Sequence, residues 1–330
     1  MDNRTWLREK GWGLFIHYLE NLQNNPETPN NQGAGRTSWE ACVNQLDVER
    51  LAQDAASAGA GYLVFTLQQQ TRFACAPNPV YDRLSGYQPG EACCTRDLIE
   101  ELYQALHRHG VALFLYFTGD GPFRDEQAFR GLGGEFGRQT VNREMVANWS
   151  RVLEYYSRAY GDKIKGWWMD GAYPAVGYEL NGPYMRSIAE AARAGNPETL
   201  VSENYWGCLV EVYEERDGVI YGNFRSKVPD PVDADDYSAG ELVQLGDLPD
   251  GRDFGGRVWQ ILSFLGKPQD PRMVYAGWGR PGSKYTGPWL RDYVRAVRQK
   301  GGVVTLDVCL YRDGHIDPEQ LEVLRAIEEK

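Results

Sequence analysis

A (β/α)8, TIM-like barrel occupying residues 1–330 as one domain is the fold class that the sequence predicts, on three observations. Short apolar runs rich in β-branched and aromatic residues recur eight times along the chain. Stretches with the period of an amphipathic helix separate most of them, the pattern of parallel strands joined by crossovers. The length, 330 residues, suits eight such units in one barrel, with no internal repeat or linker-like boundary. A doubly wound dinucleotide fold would carry G-x-G-x-x-G after its first strand, whereas Glu20-Asn21-Leu22-Gln23 stands there.

The first strand, 13–18, is the apolar run Leu14-Phe15-Ile16 ending in His17, and a loop rich in Asn, Pro and Gly follows over 19–38. Helical periodicity over 48–59 leads into the second strand, 61–67, read from Leu63-Val64-Phe65-Thr66. A helix at 96–109 precedes the third strand, 111–118. A helix at 143–160 precedes the fourth, 166–170, where Trp167-Trp168-Met169 runs into Asp170. The helix at 183–194 leads to the fifth strand, 199–202, and a sixth is expected at 218–224. A second long loop, 225–256, is rich in Pro, Asp and Gly. Strands at 272–276 and 302–308 complete the set, with helices at 288–300 and 318–328. In the last helix Asp317 caps the N-terminus, Pro318 fits the first turn, and Leu321, Leu324 and Ile327 share a face. Loops that follow barrel strands lie on the C-terminal face, where active sites are built, so both long loops are expected to border one.

Composition narrows the partners. Lys and Arg total 35 against 46 for Asp and Glu, a formal net charge of −11. Nucleic-acid binding needs a basic stripe to displace counterions from phosphates, and anionic membranes repel such a chain, so neither partner is expected. A neutral small molecule or sugar is easier to reconcile with this charge. The 10 Trp and 20 Tyr supply the flat walls on which sugar rings sit. No apolar run reaches the length of about 18 residues that a membrane span requires. The N-terminus lacks the apolar stretch and cleavage site of a signal peptide, so the chain as written reads as cytoplasmic, or as secreted or periplasmic if a leader was removed. The six cysteines show no C-x-x-C pairing and are expected to be free thiols. The histidines number only 4, and His107 and His109 share the helix before the third strand, so a His-rich metal barrel is not expected, nor is a cofactor. The sequence leaves a homo-oligomer open.

Reactive side chains collect at strand C-termini. Asp170 ends an apolar strand before a glycine, His17 ends the first strand, Gln68, Gln69 and Gln70 follow the second, and Glu203 and Asn204 follow the fifth. A carboxylate at the end of a buried strand is costly to desolvate unless it is paired or used. No G-x-S-x-G elbow or P-loop is present. Two carboxylates acting on a glycosidic bond need no metal, cofactor or special nucleophile, and that chemistry fits these residues.

The motifs also resemble those of the α-L-fucosidases, glycoside hydrolase family 29, along nearly the whole chain. Trp12-Gly13-Leu14-Phe15-Ile16-His17 resembles the family's opening G-[IL]-F-I-H-W strand, and 58–66 resembles its A-G-A-K-Y second strand. Trp167-Trp168-Met169-Asp170-Gly171 resembles its W-x-D-[GW] segment. Residues 298–306 with Asp313-Gly314-His315-Ile316 resemble its S-K-G-G-N run and the following D-G-x-I. The resemblance implies a retaining mechanism with Asp170 as nucleophile. It points to Glu241, in Asp236-Tyr237-Ser238-Ala239-Gly240-Glu241, as acid/base, whereas strand-end position alone favours Glu203; both stay candidates. It implies a sugar pocket of His17, Trp39, Gln69, Gln70 and Tyr116; beside the resemblance, Arg225 is expected to replace the family's missing sugar-binding arginine and Trp278 to wall one side.

The departures bear on the substrate. Gln69 and Gln70 stand where the family has paired histidines; glutamine offers a donor and an acceptor but never a charge. The expected substrate is therefore an oligosaccharide or glycoside with a terminal fucose-like α-sugar. The alternatives are α-galactose or another 6-deoxy sugar on the same machinery, or a barrel that binds a glycan without cleaving it. The family often adds a β-sandwich after the barrel, and none is expected before Lys330.

Overall fold

The structure is a computed structural model. It describes residues 2–137, 142–171, 181–204, 209–216, 219–226, 234–246, 248–249, 251–268, 270 and 276–329, with the backbone alone for 181–185, 209–216 and 219–226.

The helix α1 (Asn3–Lys10) comes first, capped by the Asp2 carboxylate and closed by Gly11 at φ 75. Strand β1 (Trp12–Ile16) is followed by the short helices α2 (Glu20–Gln23) and α3 (Trp39–Val43), then α4 (Val48–Ala58) and β2 (Tyr62–Gln68). Helices α5 (Pro79–Ser85) and α6 (Leu98–Arg108) lead to β3 (Ala112–Thr118), and α7 (Glu126–Gly131) and α8 (Arg143–Tyr160) to β4 (Ile164–Asp170). After α9 (Asn181–Arg193) come β5 (Leu200–Glu203), β6 (Leu209–Arg216), β7 (Val219–Ser226), the two-residue strands β8 (Asp253–Phe254) and β9 (Arg257–Val258), and β10 (Gln260–Phe264). The chain finishes with α10 (Gly287–Gln299), β11 (Val303–Val308) and α11 (Pro318–Arg325).

Seven parallel strands form one curled sheet in the order β10-β11-β1-β2-β3-β4-β5. It is a β/α sheet resembling an open barrel, and among the described residues no eighth strand closes it. The expected closed eight-stranded barrel is corrected on two points. Of the run expected as a sixth stave, 218–224, the described residues 219–224 pair instead antiparallel with β6, outside the main sheet. A two-residue connection needs no crossover, and Asp217-Gly218 is a sequence suited to one. Strand β10 occupies a stave that the sequence reading left unassigned. Most of the run expected at 272–276 lies outside the described residues.

Between the sheet edges β5 and β10 runs the irregular segment 235–242. On one side the Asp236 amide donates to Val201 O at 2.8 Å, and the Val201 amide donates to Asp236 Oδ2 at 3.0 Å. The Glu203 amide donates to Asp235 Oδ1 at 2.9 Å. On the other side Ser238 donates to Val258 O at 3.0 Å and Leu242 to Leu262 O at 2.7 Å, while Leu262 donates to Gly240 O at 2.8 Å. Gly240 takes φ 62, and a Cβ there would collide with the Gln260 carbonyl, so only glycine brings the two backbones this close. The seam thus satisfies edge donors partly with carboxylates rather than with a ladder.

Side chains alternate between two buried layers, as the strand period of two requires. Phe15, Val64, Phe114, Tyr116, Trp168 and Leu262 fill the interior, with Leu7 of α1 and Tyr237 of the seam. Ile16, Leu63, Leu115, Trp167 and Leu306 face the surrounding helices. Gly13 and Gly166 make room for the Tyr62 and Phe114 rings, which a Cβ at either position would strike. The loop at 19–38 is not structureless. It holds α2 and the turn Pro29–Asn31, with Asn24, Asn30 and Asn31 buried and the buried Arg312 guanidinium donating to Gly35 O at 2.8 Å.

Candidate active site

A cavity of about 240 Å³ opens at the C-terminal ends of the parallel strands. Its wall is made by Phe15, His17, Leu19, Asn21, Leu22, Gln69, Tyr116, Trp168, Asp170, Glu241, Leu262 and Trp278. Tyr116 and Trp168 stack at 5.5 Å between ring centroids, a flat aromatic floor contributed by neighbouring strands β3 and β4.

Asp170 is the last residue of β4, 9% exposed. The Tyr116 hydroxyl donates to its Oδ2 at 2.7 Å, and the Asn204 amide donates to its Oδ1 at 3.1 Å. Burial, then the Asp170 charge, pushes the Tyr116 phenol well above its ordinary range, so the hydroxyl keeps its proton. The same Asn204 nitrogen donates to Glu241 Oε2 at 2.7 Å. One amide therefore ties the carboxylate on β4 to the carboxylate on the seam. Asn204 is itself held by its backbone amide, which donates to Met169 O at 2.7 Å. Next to Asp170, Asp120 is buried in the turn two residues after β3 and accepts from the Thr118 hydroxyl; burial raises its carboxyl well above the usual range.

On the opposite wall His17 Nδ1 lies 2.6 Å from Asp307 Oδ2, and the Gly279 amide donates to Asp307 Oδ1 at 2.6 Å. Burial raises the Asp307 carboxyl, and the adjacent His17 works against that rise. The Trp278 ring meets His17 edge-on at 5.8 Å and Phe264 at 4.8 Å. Behind it Lys284 Nζ sits 3.5 Å from the Phe264 ring centroid and donates to Val243 O at 2.7 Å. Burial lowers the Lys284 ammonium to about 7.

The residues expected from sequence fall into three groups. His17, Gln69, Tyr116, Asp170, Glu241 and Trp278 meet on the cavity wall. Three others do not. Glu203 pairs in register with Met169, whose side chain joins the outer layer, so adjacent-strand geometry points Glu203 away from the cavity. Trp39 is buried behind the sheet against Tyr18 and Phe73, with its indole N–H donating to Ala74 O at 3.1 Å. Gln70 adopts φ 52 and turns its carbonyl to the Arg124 amide at 2.9 Å, off the wall. The Arg225 side chain lies outside the described residues. Sequence reasoning noted Asn204 at the end of the fifth strand without giving it a role, quoted Trp168 only as part of its strand, and did not single out Asp307. Alternation along Val303, Thr305 and Asp307 was the available signal for the last, since β11 sends these residues inward. Among the described residues no group of three or more His, Cys, Asp or Glu is placed to hold a metal, and no helix is long and apolar enough to cross a membrane.

No protein-family model matches the chain, and no curated protein matches it in sequence. Solved structures do resemble it. An endo-fucoidan hydrolase of glycoside hydrolase family 107 aligns at 11% identity and TM-score 0.68, over 98% of this chain and 92% of that one. A family 29 α-L-fucosidase from Bacteroides thetaiotaomicron aligns at 16% identity and TM-score 0.62, over 98% and 72%. The α-L-fucosidase AlfC aligns at 17% identity and TM-score 0.60, over 99% and 97%. The chain spans only 53% of the length of another family 107 endo-fucoidan hydrolase, at 14% identity and TM-score 0.65. At these identities the likeness shows a shared fold.

Proposed function

We propose that the protein is a retaining glycoside hydrolase that releases a terminal fucose-like α-linked sugar. The observation that carries this reading is the Asn204 amide bridging Asp170 and Glu241. It keeps the two bridging oxygens within about 6 Å, near the roughly 5–5.5 Å of retaining enzymes and below the separation that leaves room for an inverting water. The fold likeness to α-L-fucosidases and fucoidan hydrolases supports the substrate class. So does the cavity, smaller than the ~300–1,000 Å³ of drug-sized ligand sites and suited to one ring.

In this mechanism an Asp170 oxygen attacks the anomeric carbon while Glu241 gives its proton to the departing glycosidic oxygen. The C–O bond to the leaving group breaks as the bond to Asp170 forms. Glu241, now a carboxylate, takes a proton from water, which attacks the same carbon and frees Asp170. Tyr116 and Asn204 hold the nucleophile's oxygens in place, and Tyr116 with Trp168 forms the surface under the ring. A second sugar on the same machinery is the alternative. It is favoured by Gln69 on the wall where a histidine is expected and by Gln70 turned off it.

The test is a 2-deoxy-2-fluoro-α-fucosyl fluoride trap read by peptide mass spectrometry, beside a panel of aryl α-glycosides. An adduct on the peptide bearing Asp170, and turnover of one glycoside in the panel, is the expected result. Hydrolysis undiminished in Asp170→Asn, with no adduct, overturns the proposal.

A further inference from the structure

His17 and Asp307 form a pair that the nucleophile and acid do not involve. Asp307 is fully buried at the end of β11, so water does not compete for its oxygens. Both are committed, Oδ1 to the Gly279 amide and Oδ2 to His17 Nδ1, each at 2.6 Å. The charged group behind it is Lys284, and Tyr116 and Asp170 face His17 across the cavity, the Tyr116 ring 5.9 Å from the imidazole. An ionised carboxylate has no proton to give, so the proton in the Nδ1···Oδ2 bond belongs to the imidazole. Nε2 is then the nitrogen that His17 offers to the cavity, where among the described residues no protein hydrogen bond is made to it.

We propose that Asp307 is a positioning residue that fixes His17 as the Nδ1–H tautomer, so that a bare Nε2 accepts a hydrogen bond from a substrate hydroxyl. The inference rests on the cavity being a sugar pocket. It adds a specificity rule: the sugar must present a hydroxyl donor at this wall, and an analogue without one leaves a buried acceptor unpaired. Asp307→Asn reverses the rule while keeping the shape. The asparagine oxygen still accepts from Gly279 N–H, so its NH₂ faces Nδ1 and donates to it, which makes that nitrogen the acceptor and moves the imidazole proton to Nε2. The cavity then meets a donor where it had an acceptor.

Long-range ¹⁵N–¹H correlation spectra of ¹⁵N-histidine-labelled protein at pH 8 read this directly, with His17→Gln assigning the resonance among the 4 histidines. The expected wild-type His17 is protonated at Nδ1 only, and Asp307→Asn is protonated at Nε2 only. Against a cleaved aryl glycoside the variant loses roughly 10–100-fold in kcat/KM. It also discriminates less against the deoxyfluoro analogue, whose fluorine accepts but does not donate. A wild-type His17 protonated at Nε2, alone or with Nδ1, overturns the inference even if Asp307→Asn fails to fold. An unchanged tautomer in a folded variant does the same. Absence of any glycoside cleavage sinks the enzymatic reading instead, while the spectra still decide the tautomer.

Discussion

The two carboxylates that meet at Asn204 come from regions of opposite construction. Asp170 ends a strand flanked on both sides by parallel ladders, with Thr118 its register partner on β3 and Met169 paired to Glu203 on β5. Glu241 hangs on the seam, where isolated bridges, Ser238 and two aspartates stand in for a ladder. The ladder sets the face to which its side chain points by period. The seam sets its side chain through contacts to distant parts of the chain: Asp236 accepts from Arg4 of α1 at 2.9 Å and from Arg193 of α9 at 2.7 Å. A nucleophile must approach one carbon along one line, which favours the rigid support, whereas an acid that later serves as base tolerates a support that adjusts.

The sharpest way to break this contrast is to remove each carboxylate's chemistry in turn. Asp170→Asn is expected to lower kcat/KM by about 10⁴-fold or more against every substrate, because in the proposed mechanism it is Asp170 that forms the bond to the anomeric carbon. Glu241→Gln is expected to lose about 10²–10⁴-fold on a poor leaving group and much less on a nitrophenyl glycoside, which departs without a proton. Steady-state rates on both substrates separate the roles. Equal losses for Glu241→Gln on the two leaving groups would remove it as the acid. Asn204→Ala tests the tie between the regions. Losing one buried donor to two carboxylates is expected to lower kcat/KM by roughly 10–100-fold, with the thermal midpoint nearly unchanged.

A pair of glycine substitutions tests the regions as structure. Gly166→Ala drives a methyl into the Phe114 ring inside the interior layer and is expected to destabilise the whole fold by about 1–3 kcal/mol in urea titration. Gly240→Ala meets the Gln260 carbonyl at φ 62 and is expected to act locally. It would displace Glu241 and lower activity at least as much as Asn204→Ala, with the smaller change in unfolding midpoint. Identical losses of stability from both would mean that the seam folds as one unit with the ladder.

The same contrast explains what the sequence disclosed. Strands β1 to β4 each hold an apolar run of three or more residues, such as Leu63-Val64-Phe65 and Trp167-Trp168-Met169, and the helices between them carry caps such as Asp47 before α4 and Asn142 before α8, so local pattern and tertiary role agree. Asp170 was legible because a strand's last residue is a place that the fold fixes. The seam has no period to read. Its backbone is held by Asp235, Asp236 and Ser238 side chains, and only a family motif pointed to Glu241 within it. Strand β10 was missed because Gln260 and Ser263 interrupt its five residues. Glu203 shows the limit of strand-end position alone: it too ends a strand, but one residue out of phase with the inward face.

The smallest expected effect lies behind the His17 wall and concerns pH. Lys284 has its ammonium lowered to about 7 by burial against Phe264, while an unfolded lysine keeps its ordinary value near 10.5. Below pH 7 both states carry the proton, and the folded state bears the full penalty of a buried charge. Between pH 7 and about 10.5 the unfolded chain binds one proton more than the folded chain, so stability gained from this residue rises with pH across that window. One such group tilts the curve by at most about 1.4 kcal/mol per pH unit, while the Asp307 charge opposes the lowering and so narrows the window. Lys284→Met removes the titration and keeps the stem that packs on Phe264. Urea titrations at pH 6, 7.5 and 9 are expected to show a flatter pH dependence in the variant, chiefly through a gain in stability at pH 6. A variant less stable than wild type at pH 6 would mean that the ammonium is worth more to the seam, through its bond to the Val243 carbonyl, than its burial costs.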